Sequence, residues 1–178
     1  MTIHARLAHV GIHAHDKPKL VAFYQRVLGL VETDSGPTRN GMELTFLSAS
    51  PGNHHQLVIV NGRPDTEGFN HINQISFMVD TLSDLRTVHD RALAEGATGM
   101  RVVTHGNAWS CYFKDPEGNT VEAYLDTPWH VPQPHGAPFD LSKSDEEIIR
   151  ETEAHCRATP GFMMMEDYQA QMARRLAG

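Results

Sequence analysis

One order of elements occurs twice in this chain, and that repetition most restricts its fold. A strand-like segment at 7–12 precedes an amphipathic helix over 17–28, where Leu20, Phe23, Tyr24, Val27 and Leu28 fall at helical spacing. Gly29 follows as a natural helix stop. Three further strand candidates come next, at 30–33, 42–47 and 55–60, separated by loops rich in Gly, Pro, Ser and Asn. The order then recurs. A strand over 72–79 leads into a helix over 82–94, with Leu85, Val88, Leu93 and Ala94 available to bury, a stop at Gly96, and strands near 101–104, 110–114 and 119–125. The expected fold is therefore α+β: two tandem β-α-β-β-β modules, 1–66 and 67–127, joined through a turn-rich linker at 61–68 and forming a concave mixed sheet. The remainder, 128–178, begins with a proline-rich segment over 129–141 that excludes a long helix. Helices near 145–157 and 166–176 complete this C-terminal tail. The first is capped by Ser142 or Ser144 with acidic residues in its first turn, and the second ends on Arg174 and Arg175, as the helix dipole favours. The apolar run Phe162 to Met165 reads as packing or an oligomer contact.

Composition narrows the function. Forty per cent of the 178 residues are hydrophobic, enough for a packed core. A net charge of −7 without any Lys/Arg cluster argues against a nucleic-acid or anionic-membrane partner. No apolar run approaches the roughly 18–20 residues needed to span a bilayer, and the N-terminus has no signal-peptide core. Cys111 and Cys156 lack metal or redox spacing and read as reduced thiols, so a cytoplasmic protein is expected.

Period-two alternation then locates a site. In 8–13 one strand face carries His9, Gly11 and His13, and in 120–125 one face carries Thr120, Glu122 and Tyr124. In 110–114 the same split sets Ser110, Tyr112 and Lys114 against Cys111 and Phe113. Apolar faces pack on helices and polar faces line the concave side. Asp115, Pro116, Glu117 and Gly118 form a tight turn, so Tyr112 enters a β-hairpin on one strand and Glu122 leaves it on the other. His9 and His71, each in a first strand, together with Glu122 make two imidazoles and one carboxylate. That donor set suits a non-haem Fe(II) face with open positions.

Two such units, with a histidine on the first strand of each and a glutamate on the last strand, resemble the vicinal oxygen chelate superfamily over about residues 5–126. That group includes glyoxalases, bleomycin and fosfomycin resistance proteins and type I extradiol ring-cleaving dioxygenases. The segment is similar to the extradiol signature: Val103, Thr104 and His105, five residues, Cys111 and Tyr112, two residues, Asp115, Pro116, Glu117 and Gly118, three residues, then Glu122. The one departure is Cys111 where an aliphatic residue is usual, and Cys buries readily as a small hydrophobe. A second marker is the pair His54 and His55 ahead of His71. The resemblance implies a small single-domain extradiol enzyme with the metal, Fe(II) or else Mn(II), held by His9, His71 and Glu122 at the centre of the sheet. It further implies His55 as acid–base, Tyr112 as a substrate-contacting phenol and His105 as a pocket residue behind them. Its partners would be a catecholic substrate, biaryl diols included, and O2, in a homo-oligomer. His130 and His135 read as surface or lid residues of the tail. Two rival readings are a glyoxalase-like isomerase or lyase, with a fourth ligand near His55 and Gln56, and a metal-free binding module.

Overall fold

The computed structural model describes residues 6–64 and 72–177. In chain order its elements are β1 (Val10–Ala14), α1 (Lys17–Leu28), β2 (Val31–Pro37), β3 (Glu43–Ser48), β4 (Leu57–Asn61), β5 (Ile75–Met78), α2 (Leu82–Ala94), β6 (Thr98–Thr104), β7 (Ala108–Lys114), β8 (Thr120–Asp126), β9 (Trp129–His130), β10 (Ala137–Pro138), α3 (Asp145–Ala158), β11 (Met163–Met164) and α4 (Met165–Ala177). Helix ends follow local chemistry. Asp16 caps α1 by accepting from the Lys19 amide at 3.0 Å, and Gly29 ends it in the left-handed region at φ 69°. Thr81 caps α2 through the Asp84 amide, and Ser144 with Glu147 forms a reciprocal capping box on α3.

The α+β class and the two β-α-β-β-β units are as the sequence implies. The strands are arranged in two mixed sheets, one for each unit. One runs β1-β4-β3-β2, the other β10-β6-β7-β8-β5, and β11 with β9 makes a small third pair. Each helical crossover returns the chain parallel to the last strand of its own unit, β1 against β4 and β5 against β8, so each unit completes its own sheet. The linker expected at 61–68 falls partly outside the described residues.

One core joins the units. Ile12, Ala14, Leu47, Leu57 and Ile59 of the first sheet and Cys111, Phe113, Val121 and Ala123 of the second are buried in the same cluster as Leu20, Phe23, Tyr24 and Leu85 of the helices. Helix α1 packs on β1 and β4 and also reaches the second sheet, with the Phe23 ring 6.2 Å from Phe113 and the Tyr24 ring 6.0 Å from Phe77. The Tyr24 hydroxyl donates to Asp115 Oδ2 at 3.1 Å, wholly inside the protein. Asp115 also accepts from the amides of Glu117 and Asn119 and from Asn119 Nδ2, so it organises the turn between β7 and β8. Burial raises its carboxyl above the usual range, and these donors oppose that rise. Tyr24→Phe is expected to lower stability by about 1–3 kcal/mol, because a buried acceptor loses a partner. Urea unfolding of the two proteins measures it.

The tail docks on the second unit. Arg86 of α2 donates to the carbonyls of Leu141 and Lys143 at 2.8 and 2.7 Å and pairs with Asp145 at 2.6 Å. Trp109 Nε1 donates to the buried Thr152 hydroxyl of α3 at 2.9 Å. Gly106, at φ 76°, admits the tail: a Cβ there would stand 2.5 Å from a Val131 methyl. The Met163 and Met164 backbone pairs with Trp129 and His130. No described helix is long and apolar enough to cross a membrane.

Candidate functional site

Strand register builds the second unit's polar face. β5 pairs with β8, β8 with β7 and β7 with β6, so Ser76, Glu122, Tyr112 and Arg101 stand side by side in one row across the sheet. Their strand neighbours Val121, Ala123, Cys111 and Phe113 turn to the core, as alternation requires. Glu122 is 7% exposed, and its Oε2 accepts from Gln74 Nε2 at 2.7 Å and from the Ser76 hydroxyl at 2.5 Å. Burial, and then the adjacent Glu122 carboxylate, push the Tyr112 phenol up to about 12. The Arg101 guanidinium lies 4.4 Å from the centre of the Tyr112 ring.

His105 supports that phenol. Its Nδ1 lies 2.6 Å from the His135 carbonyl and its Nε2 2.9 Å from the Tyr112 hydroxyl. A carbonyl only accepts, so in the neutral ring Nδ1 carries the hydrogen and Nε2 accepts from Tyr112. The tail thus reaches the site: the His135 backbone orients His105, and Gln133 Nε2 donates to the His105 carbonyl at 2.9 Å. His130 instead stacks on Tyr168, ring centroids 3.9 Å apart, away from this network.

In the first unit His9 directly precedes β1 and is exposed. Its ring lies 4.3 Å from that of His55, which also sits 5.1 Å from Phe46. Burial first, then repulsion from His9 and His54, lowers the affinity of His55 for a proton. His9, Gln74 and Ser76 line one cleft of 420 Å³, and Ser76, Glu122, His105 and Tyr124 line another of 360 Å³. The two clefts meet at Ser76.

The structure therefore brings His9 to His55, and His105 and Tyr112 to Glu122. His71 lies outside the described residues. Sequence reasoning does not find Gln74, Ser76 or Arg101. The signal for Ser76 and Arg101 is cross-strand register, which a single strand does not carry. No group of three or more His, Cys, Asp or Glu converges among the described residues. The donor types nevertheless suit a divalent first-row metal: a buried carboxylate anchored by two donors, and an imidazole bordering the cleft that shares Ser76 with it.

Residues 6–123 match the Glyoxalase/Bleomycin resistance protein/Dioxygenase superfamily, and the chain belongs to it. It is 29% identical over 134 residues to biphenyl-2,3-diol 1,2-dioxygenase 3 of Rhodococcus globerulus, a match that covers 71% of this chain and 66% of that protein. With biphenyl-2,3-diol 1,2-dioxygenase 2 of the same organism it shares 25% identity over 157 residues, 79% of this chain and 80% of the other. The chain thus spans just under two thirds of the first of these relatives. Many solved structures share the fold. A glyoxylase/bleomycin resistance protein/dioxygenase domain from Frankia sp. EAN1pec superposes with a TM-score of 0.58 at 19% identity, covering 70% of this chain and all of that domain. A mutant of the fosfomycin resistance protein FosX from Listeria monocytogenes, in complex with Mn(II) and 1S,2S-dihydroxypropylphosphonic acid, gives 0.56 at 20% identity, covering 70% and 95%.

Proposed function

We propose that this protein is an Fe(II)-dependent extradiol dioxygenase that opens the ring of a catechol-type substrate with O2. The observation that carries this reading is the row of Ser76, Glu122, Tyr112 and Arg101, with His105 hydrogen-bonded behind the phenol. It sets a buried carboxylate beside a protonated phenol on one rigid face, and the two curated relatives are dioxygenases of an aromatic diol. In this reading His9 and Glu122 are metal donors from the two units, and a third comes from the segment 71–74 ahead of β5. Divalent iron held there supplies a common anchor for catecholate and dioxygen and a path for electrons between them.

The chain's own groups do the rest. Tyr112, kept protonated by burial, has one hydrogen, which rests on His105 Nε2 and turns to a substrate oxygen when the diol binds. Until then His105, its own orientation set by the His135 carbonyl, holds that hydrogen and fixes the position of the phenol oxygen. His55, beside His9, takes a catechol proton on a ring nitrogen and later returns it. Phe46, against His55, offers an aromatic wall. Among the described residues the cleft around Glu122 is lined by Asp126, Tyr124, Asn107 and Gln133, and the cation of the row, Arg101, lies on the Tyr112 ring outside that lining, which favours a neutral aromatic diol over an aromatic acid.

The test is anaerobic loading with Fe(II), then aerobic incubation with catechol, 2,3-dihydroxybiphenyl and 3,4-dihydroxybenzoate. A yellow ring-fission product from the neutral diols is expected. Iron-loaded protein that turns over none of the three would overturn the proposal. The His9–His55 contact also suits a second reading, a glyoxalase-like isomerase or lyase in which His55 is a fourth ligand.

A further inference from the structure

We propose that the donor which the second unit contributes from the head of its first strand is the side-chain amide of Gln74, not the imidazole of His71. The inference rests on the metal-site reading above and completes it. Its basis is the internal correspondence of the two units. His9 directly precedes β1 and stands seven residues before Asp16, the N-cap of α1. Gln74 directly precedes β5 and stands seven residues before Thr81, the N-cap of α2. His71 stands ten residues before Thr81. The ladders correspond as well. The residue after His9, Val10, faces Leu57, the first residue of β4, and the residue after Gln74, Ile75, faces Val121, the second residue of β8, both in parallel pairs.

Contacts support the same placement. Gln74 Nε2 lies 2.7 Å from Glu122 Oε2 and 3.0 Å from the Ser76 hydroxyl, so its amide already occupies the space beside the carboxylate. Gln74 and His9 line the same cleft. An amide has one oxygen acceptor and one nitrogen donor on a single planar group. It can offer Oε1 to a cation while Nε2 holds Glu122 in place. The donor set is then one imidazole, one carboxylate and one amide oxygen. Imidazole suits iron, whereas carboxylate and carbonyl oxygens suit manganese and magnesium. Such a site therefore favours Mn(II) relative to Fe(II) more than a two-histidine site does.

The experiment is anaerobic titration of the full chain with Mn(II) and with Fe(II), following bound metal directly, and melting curves confirm the fold of each variant. Gln74→Ala is expected to weaken Mn(II) binding by about 10-fold or more, the scale of a lost metal-site interaction. Gln74→Glu, which keeps an oxygen donor, retains it. Gln74→His shifts the Fe(II) to Mn(II) affinity ratio about 10-fold toward iron. His71→Ala changes neither affinity by more than about twofold. Loss of metal in His71→Ala with retention in Gln74→Ala would overturn the inference and leave the metal-site reading intact, and so would retention in both. Unchanged affinity in both His9→Ala and Glu122→Ala would overturn the metal-site reading itself, and the assignment of Gln74 with it.

Discussion

Replacement of His55 by glutamine is expected to slow ring cleavage by roughly 10²–10⁴-fold, the usual loss when an acid–base group is removed, while metal content stays at the wild-type level. The expectation rests on where His55 sits. Its ring lies against that of His9, 4.3 Å between centroids, so it adjoins the donor end of the first unit. Its own ring partners are Phe46, His54 and His9, none of them an acid that would hold it charged. Burial and the two neighbouring imidazoles favour the neutral ring, which is the form that accepts a proton from a catechol. Glutamine keeps the approximate length and hydrogen-bonding capacity but cannot titrate, so binding of the diol survives and proton transfer does not. Iron content and turnover measured on the same preparation separate the two enzymatic readings. Full iron with slow cleavage supports the dioxygenase. Loss of metal with His55→Gln, with no ring cleavage by the wild type, would establish His55 as a ligand of an isomerase or lyase.

Elements whose determinants are local were legible in the sequence. The helix spans 17–28 and 82–94 coincide with α1 and α2, because apolar spacing, the caps Asp16 and Thr81 and the stop at Gly29 all act within a turn or two. The hairpin from Tyr112 to Glu122 was equally readable, since its turn residues and alternation fix which side chains share a face, and Tyr112 does stand opposite Glu122. First strands were less legible. The expected 7–12 and 72–79 became Val10–Ala14 and Ile75–Met78, because a strand ends where its partner ends, and the partners, β4 and β8, lie far along the chain. That shift matters for the site. Reading 72–79 as the strand places His71 directly before it, whereas the ladder with β8 begins at Ile75 and leaves Gln74 in that position. Counting back from the helix cap, seven residues in each unit, was the local signal that would have found it. The division into two sheets and the contact of the tail with His105 depend on pairings between distant segments, and no periodicity encodes them.

Glu122→Ala is expected to abolish detectable ring cleavage and to weaken metal binding by more than about 100-fold, beyond the 10–100-fold typical of losing a group that merely supports a ligand. The chain concentrates order on this carboxylate. It is buried on β8 between two paired strands, with Ser76 opposite on one side and Tyr112 on the other. Gln74 and Ser76 both donate to one of its oxygens and the Tyr112 phenol adjoins it, which fixes its rotamer. Removing it takes away the negative charge that offsets a divalent ion and frees both donors. The fold has little reason to suffer. Ser76 is exposed and Gln74 half-buried at the cleft, so water replaces the lost acceptor, and the net cost is about 1 kcal/mol. Metal titration alongside thermal melting tests the point. Strong loss of metal with a nearly unchanged melting temperature is expected. Retained metal at wild-type affinity would show that the carboxylate serves only to hold Gln74, Ser76 and Tyr112 together, and the proposed centre would have to be sought elsewhere in the chain.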